Sequence, residues 1–160
     1  GINLSNNQKI IEFSPLTYKY LNIISKKINS FNGGLLIIDY GYLEKKMKNS
    51  LQSVHNHKFC NPLKNIGNSD ITYNINFYLL KKILKKLNLK VVGVTTQKSF
   101  LTKLGIMQRA EILAKNLKFS KKANIYYRLN RLIDNKFMGD LFKVMFVTKK
   151  NNEFKIGFEN

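Results

Sequence analysis

One continuous apolar run constrains the fold of this chain more than any other feature. Residues 35–38 read Leu-Leu-Ile-Ile without alternation, a pattern typical of a strand that is covered on both faces. Residues 89–96, rich in valine, predict a second strand of the same kind, and residues 141–148 predict a third. Helix-type periodicity separates these strands. Strands and helices alternating at this spacing predict an α/β domain with a largely parallel sheet.

Local signals predict where the helices begin and end. Ser14 can cap the first free N–H groups of a helix that starts at Pro15. Asn32-Gly33 ends this helix, because glycine accepts the left-handed conformation. Asn76 caps a second helix, and a helical group is predicted over residues 97–104, 106–117 and 121–133. Short β segments are predicted over residues 9–13 and 153–158.

Residues 42–75 show little periodicity and predict a long excursion from the domain. The segment contains both histidines, the single cysteine Cys60, Pro62 and Gly67. Excursions of this length in a compact domain tend to be functional.

Charge and composition exclude several classes of protein. The formal net charge is +19, yet only three of the 28 basic residues are arginine. Proteins that grip nucleic acid use arginine generously, so scattered lysines on solvated faces are the favoured interpretation and nucleic acid is not the expected partner. One cysteine excludes an internal disulfide framework and indicates a reducing compartment. No apolar run approaches the roughly 18 residues that cross a bilayer, and no signal peptide is recognisable.

The ends of the predicted strands are where chemistry is expected. In open α/β sheets, ligands gather beyond the carboxyl ends of the strands. This rule singles out residues 39–41, Asp-Tyr-Gly, and residues 95–97, which end in Gln97.

An ordered series of motifs spans about residues 12–148. The motifs are Glu12-Phe13-Ser14-Pro15, Gly33-Gly34, Ile38-Asp39-Tyr40-Gly41-Tyr42, residues 51–59 (LQSVHNHKF), Gly67 with Asp70-Ile71-Thr72, Thr96-Gln97, Phe100-Leu101, Leu104-Gly105-Ile106 with Arg109, Arg131-Leu132, and Met138-Gly139 followed by residues 141–144. This series resembles the MidA-like class I S-adenosylmethionine-dependent methyltransferases. That family includes the mitochondrial arginine methyltransferase that assists assembly of respiratory complex I.

The resemblance implies that residues 1–160 are the C-terminal part of a Rossmann-like methyltransferase domain. The family's glycine-rich loop after the first strand, its acidic residue on the second and its Asn-Glu-x-x-Asp-Ala segment have no match here. S-adenosylmethionine is therefore implied as the cofactor of the complete protein, with no cofactor-binding residue in this segment and an inactive isolated chain. The implied partners are the missing N-terminal half and a protein substrate, with a complex I subunit as one candidate. The implied location is a bacterial cytoplasm or a mitochondrial matrix.

Five residues are candidates for positioning the methyl acceptor. A guanidinium acceptor needs carboxylates to orient it, and Asp39, beside Tyr40, is the best placed; its alternative role is to cap a turn. Asp70 either contacts substrate or makes an Asx-type loop bond. His57 either contacts substrate or bonds a backbone carbonyl, and Gln97 either bonds substrate or pins a neighbouring loop. No third ligand accompanies His55 and His57, so a metal site is not predicted.

The sequence thus predicts a protein methyltransferase that acts on arginine, by resemblance. Two alternatives stay open. The chain is a noncatalytic assembly or binding module, as the missing loop would allow, or a basic protein that binds nucleic acid.

Overall fold

The computed structural model describes residues 2–4 and 8–159, and within them it has six helices and two sheets. The helices are α1 (Pro15–Phe31), α2 (Phe77–Lys86), α3 (Gln97–Lys103), α4 (Ile106–Ala114), α5 (Phe119–Ile133) and α6 (Met138–Leu141). The strands are β1 (Gly34–Tyr42), β2 (Gln52–His55), β3 (Lys58–Cys60), β4 (Asp70–Thr72), β5 (Ile75–Asn76), β6 (Lys90–Thr96) and β7 (Phe142–Thr148). The predicted α/β class is confirmed.

The main sheet has the strand order β5-β1-β7-β6. Both pairings of β7 are antiparallel, and only β1 with β5 is parallel. The structure therefore corrects the expectation of a mostly parallel sheet. The three predicted strands are present, but β7 runs back between β1 and β6. The apolar run at residues 35–38 does form a strand, but its side chains are alternately exposed and half-buried, so the prediction of cover on both faces is wrong for β1 in this structure. An apolar run also does not show the direction of a strand.

The hydrophobic core lies on one face of this sheet, beneath α1 and α2. Leu21 and Ile28 of α1 and Phe77 and Leu84 of α2 pack against Met145 and Val147 of β7. Phe77, Leu84 and Met145 have no exposed surface. Burying side chains of this size contributes about 1.5–3 kcal/mol each. These contacts hold the two helices on the sheet.

The opposite face is covered over β6 and β7 but open over β1. Phe158 stacks on Phe146 with ring centroids 6.0 Å apart, and Gly93 lies directly under Phe158. The segment 153–158 is therefore an aromatic cover and not the predicted β segment. On β1, Leu36 and Ile38 remain nearly half exposed. This apolar strip lies beyond the cover.

The helix boundaries follow the predicted caps with one change. The Ser14 hydroxyl accepts from the Thr17 N–H at 3.2 Å, and the Asn76 Oδ1 accepts from the Leu79 N–H at 2.9 Å. The residue that ends α1 in the left-handed conformation is Asn32, with a φ of 52°, and not Gly33. Asparagine takes this conformation more readily than other residues with side chains. Residues 9–13 form no strand.

Among the helices of the described residues, none is both long enough and apolar enough to span a membrane.

Gly41 is the position where a side chain would disrupt the sheet most directly. A Cβ there would lie 2.5 Å from the Ile75 carbonyl oxygen and 2.5 Å from the Phe77 ring. We predict that Gly41→Ala lowers the free energy of unfolding by about 1–3 kcal/mol. The control is Gly33→Ala, where the nearest atom is 3.9 Å away. Urea titration of both variants measures the difference, and equal midpoints would show that β1 and β5 separate at little cost.

Candidate active site

The carboxyl ends of β1 and β6 lie at the same edge of the main sheet. Both strands run antiparallel to β7, and Lys143 of β7 is opposite Asp39 on one side and Thr96 on the other. Neighbouring strands are about 4.8 Å apart. Asp39 and Thr96 therefore sit in one cross-strand row, about 10 Å from each other. The two sequence segments singled out by the strand-end rule are brought together.

Asp39 is half-buried and has a local hydrogen bond. Its Oδ1 accepts from the Tyr40 N–H at 2.7 Å, which leaves its second carboxylate oxygen for another donor. Lys143, opposite Asp39, is directed elsewhere: its ammonium contacts the Asp140 carbonyl oxygen and lies 3.2 Å from the Asp140 carboxylate. Asp39 thus forms no ion pair with the lysine nearest to it in register.

Tyr40 is on the face of β1 opposite to Asp39, because successive side chains of a strand alternate. Its ring packs on Phe142 with centroids 4.3 Å apart and is 40% exposed. Asp39 and Tyr40 are adjacent in sequence, but their side chains lie on opposite faces of the sheet.

Gln97 is the first residue of α3 and is buried. Its Nε2 donates to the Leu132 carbonyl oxygen at 2.9 Å. This hydrogen bond ties the start of α3 to the last turn of α5. The arrangement agrees with the structural alternative for Gln97, the pinning of a neighbouring segment.

The excursion at residues 42–75 contains an antiparallel sheet of order β3-β2-β4. Asn56 and His57 form the turn between β2 and β3, with φ values of 48° and 61°. Two positive φ values in a two-residue loop are typical of a hairpin whose twist matches the strands. His57 is therefore an exposed turn residue, while the neighbouring His55 bonds the Asn68 carbonyl oxygen at 2.6 Å. Sequence reading missed this hairpin because Asn-His is a rarer turn pair than Asn-Gly.

Asp70 begins β4 and is exposed. Val54 of β2 is opposite both Asp70 and Phe59, so the three side chains share one face of the second sheet. Phe59 is 77% exposed. Asp70 makes no Asx-type bond within the described residues. The Phe59 ring and the Asp70 carboxylate lie on either side of Val54.

The second sheet is anchored beside the main sheet by Glu12. The Ser50 hydroxyl donates to the Glu12 carboxylate at 3.0 Å and accepts from the Asn74 N–H at 3.0 Å. Ser50 precedes β2 and Asn74 follows β4, so Ser50 joins the two ends of the small sheet and Glu12 holds Ser50 in place. Sequence reading used Glu12 only as part of a motif. The scarcity of acids, nine in 160 residues, was the signal for its role.

An apolar groove of about 270 Å³ runs along the open side of β1. Leu35 and Ile37 of β1 form its floor, and side chains of α1, β5 and α2 form its walls. Asn76 also lines the groove, and its Nδ2 is a buried donor with no acceptor among the described residues. Buried donors are rarely left unpaired. The groove therefore offers apolar surface and one unsatisfied hydrogen-bond donor.

Two further features bear on the chemistry. The hydrogen bond from the Lys48 ammonium to the Glu44 carboxylate, at 2.5 Å, lowers the pKa of Glu44.

Within residues 2–4 and 8–159, no group of three or more His, Cys, Asp or Glu side chains is placed to hold a metal ion.

The fold of this chain is also found in solved structures. Two structures from Burkholderia thailandensis share the fold. One, an uncharacterised protein, matches with a TM-score of 0.78 at 19% identity, over 92% of this chain and 41% of its own. The other, bound to S-adenosyl-homocysteine, matches with a TM-score of 0.69 at 20% identity, over 89% of this chain and 36% of its own. This chain therefore shares part of its α/β fold with a protein whose structure is bound to S-adenosyl-homocysteine.

The sequence places the chain more closely. Residues 1–95 match the family described as "Putative S-adenosyl-L-methionine-dependent methyltransferase", and the chain belongs to this family. It is 31% identical over 89% of its length to the mitochondrial protein arginine methyltransferase NDUFAF7 homologue of Caenorhabditis elegans. It is 26% identical over 88% of its length to the mitochondrial protein arginine methyltransferase NDUFAF7 of Xenopus tropicalis.

The chain spans about a third of the length of these two curated relatives. The resemblance stated from the motifs is confirmed, and S-adenosylmethionine is the methyl donor of the family. Asp39, Tyr40, His57, Asp70 and Gln97 remain predictions as site residues.

The bond between Gln97 and Leu132 gives a test of structure at the site. We predict that Gln97→Ala lowers the free energy of unfolding by about 1–3 kcal/mol, because the half-buried Leu132 carbonyl loses the donor from the buried Gln97 side chain. The control is Gln108→Ala on exposed α4 surface, with an expected change within about 0.5 kcal/mol. Thermal unfolding measures both variants. An unchanged free energy of unfolding in Gln97→Ala would contradict the structural role and favour a role of Gln97 in substrate binding.

Proposed function

We propose that this chain is the acceptor-positioning part of an S-adenosylmethionine-dependent protein methyltransferase that modifies arginine. The methyl donor is bound mainly by a part of the protein outside these 160 residues, and the two parts join along β1. A respiratory complex I subunit is the proposed acceptor, and the mitochondrial matrix is the proposed location in a eukaryote. The resemblance supports this acceptor, and the mitochondrial arginine methyltransferases among the relatives support the location.

The observation that carries this proposal is the open edge of β1. On the side away from β7, β5 pairs only with Gly41 and Tyr42. No described residue pairs with the backbone of β1 from Leu35 to Tyr40 on that side. Edges of this kind accept another strand. An added strand would continue the main sheet where β5 stops.

The surroundings of this edge fit an added strand on both faces. On one face lies the apolar groove floored by Leu35 and Ile37; on the other, Leu36 and Ile38 are exposed. A strand with apolar side chains on both faces would fill the groove and cover the exposed strip. Its backbone carbonyl groups are also suitable acceptors for the unpaired Asn76 Nδ2.

The proposed acceptor site lies where the carboxyl ends of β1 and β6 come together, and it is distinct from the open lateral edge of β1. Methyl transfer from a sulfonium is an in-line displacement, so alignment and exclusion of water contribute most. Asp39 accepts from the guanidinium N–H groups and fixes the plane of the acceptor. The aromatic and acidic face formed by Phe59, Val54 and Asp70 is suited to a cationic side chain next to it. Tyr40, His57 and Gln97 have supporting roles at most, since they are directed elsewhere.

Joining along β1 can be tested with the upstream part of the C. elegans relative. Co-expressed with this chain, that part should restore S-adenosylmethionine binding and methyl transfer to arginine peptides, whereas the chain alone should show neither. Ile38→Lys should abolish the assembly, since it places a charge on the apolar strip. The control is Ile112→Lys, which changes an exposed isoleucine of α4. Size-exclusion chromatography and isothermal titration calorimetry measure the result.

The same assay can contradict the proposal in two ways. Equal assembly of the Ile38→Lys and Ile112→Lys variants would move the junction away from β1. Tight donor binding by the chain alone would show that the cofactor site lies within these 160 residues.

Asp39 is tested in the assembled enzyme. We predict that Asp39→Asn lowers kcat/KM for the arginine peptide by about 10- to 150-fold, because a charged hydrogen bond to the acceptor is lost. Donor affinity should be unchanged. The control is Asp134→Asn, since Asp134 is also half-buried and also accepts from a nearby backbone N–H, that of Lys136, at 2.7 Å. Unchanged turnover would remove Asp39 from the site.

A further inference from the structure

A second groove, of about 850 Å³, is lined by lysines from two separate parts of the chain. Lys45 and Lys46 come from the segment after β1, and Lys82, Lys85 and Lys86 come from α2. The lining includes no acidic residue. Its volume is within the range of about 300–1,000 Å³ found for sites that enclose a ligand.

The wall that carries Lys45 and Lys46 is held in place. The Met47 N–H donates to the Gln8 Oε1 at 2.7 Å, and the Met47 sulfur accepts from the Glu12 N–H at 3.2 Å. The Tyr42 hydroxyl accepts from the Lys48 N–H at 3.1 Å. The nearby carboxylate of Glu44 is engaged by Lys48. These bonds fix the backbone of Met47 and Lys48, directly after Lys45 and Lys46.

The floor of the groove is apolar. Leu4, Met47 and Leu79 line it beneath the lysines, and Met47 is buried. A ligand that fits this surface carries negative charges at the rim and apolar groups between them. Like charges gathered in one concavity also raise its positive potential and attract anions.

We propose that this groove binds an acidic segment of a partner protein, in which carboxylate side chains alternate with apolar ones. The carboxylates pair with the lysine ammonium groups, and the apolar side chains cover Leu4, Met47 and Leu79. The groove is distinct from the proposed acceptor edge, and its binding does not depend on methyl transfer.

Two other polyanions fit less well. Nucleic acid is bound through arginine forks and open aromatic faces. The groove has no arginine, and the Lys82 ammonium lies over the Tyr78 ring, 4.9 Å from its centroid. A lipid surface is flat on the scale of this groove. It would contact the apolar residues of the groove only if individual headgroups entered the concavity.

The experiment uses the 160-residue chain and a fluorescein-labelled peptide in which Glu and Leu alternate. Fluorescence anisotropy at about 0.15 M salt, where long-range attraction is largely screened, measures binding. The triple variant Lys45→Gln, Lys46→Gln, Lys82→Gln should weaken binding by about tenfold. The matched control, Lys26→Gln, Lys115→Gln, Lys121→Gln, removes the same charge from exposed positions outside the groove and should change binding less than twofold.

The comparison ligands separate the alternatives. A peptide with Gln in place of Glu should bind at least tenfold more weakly. The proposal is overturned if the two triple variants lose affinity equally, since the attraction would then belong to the net charge. It is also overturned if an oligothymidine or an anionic lipid vesicle binds more tightly than the Glu–Leu peptide and loses affinity only in the groove variant. Circular dichroism confirms that each variant is folded.

Discussion

The backbone of β1 sets the main constraint on this structure. The N–H and carbonyl groups of a strand inside a sheet are normally paired on both of its sides, although β1 itself is only partly buried. β7 satisfies one side from Gly34 to Tyr40, and β5 satisfies only the last two residues of the other. The groove and the exposed strip lie along the remaining edge, and the unpaired Asn76 donor lines the groove from β5. A single added strand would fill the groove, cover the exposed strip and offer an acceptor to Asn76. Joining along β1 therefore accounts for all three features together.

The candidate site depends on the same strand. Asp39, Tyr40 and Gly41 come just before Tyr42, the last residue of β1. The absent side chain of Gly41 lets β5 and Phe77 approach closely. β5 in turn begins one residue after Asn74, which Ser50 joins to Glu12. The second sheet is thereby fixed beside the end of β1. The backbone near the strand ends therefore sets where the polar side chains of the proposed acceptor site lie.

Particular residues show how far sequence reasoning reaches. The capping residues Ser14 and Asn76 predicted two helix starts correctly, because a cap is a local hydrogen bond between neighbours in sequence. The direction of β7 could not be predicted, since it depends on which strands lie beside it. The hairpin at Asn56 and His57 was missed because its turn residues are uncommon ones. The strand ends at Asp39 and Gln97 were located, but only the structure shows that Gln97 is bonded to Leu132.

Charge links the two proposed surfaces. A net charge of +19 disfavours the compact state through self-repulsion, and the described ion pairs, Lys48 with Glu44 and Lys143 with Asp140, offset little of it. Asp39 lies instead near the end of β1, and Glu12 bonds Ser50, which is joined to Asn74 just before β5. Lysines gather in the groove along α2, where the lining has no acid to balance them. The molecule thus separates a region suited to a cationic acceptor side chain from one suited to an anionic segment. A partner protein that carries an arginine and an acidic stretch would satisfy both, and its binding would relieve the repulsion that the isolated chain retains.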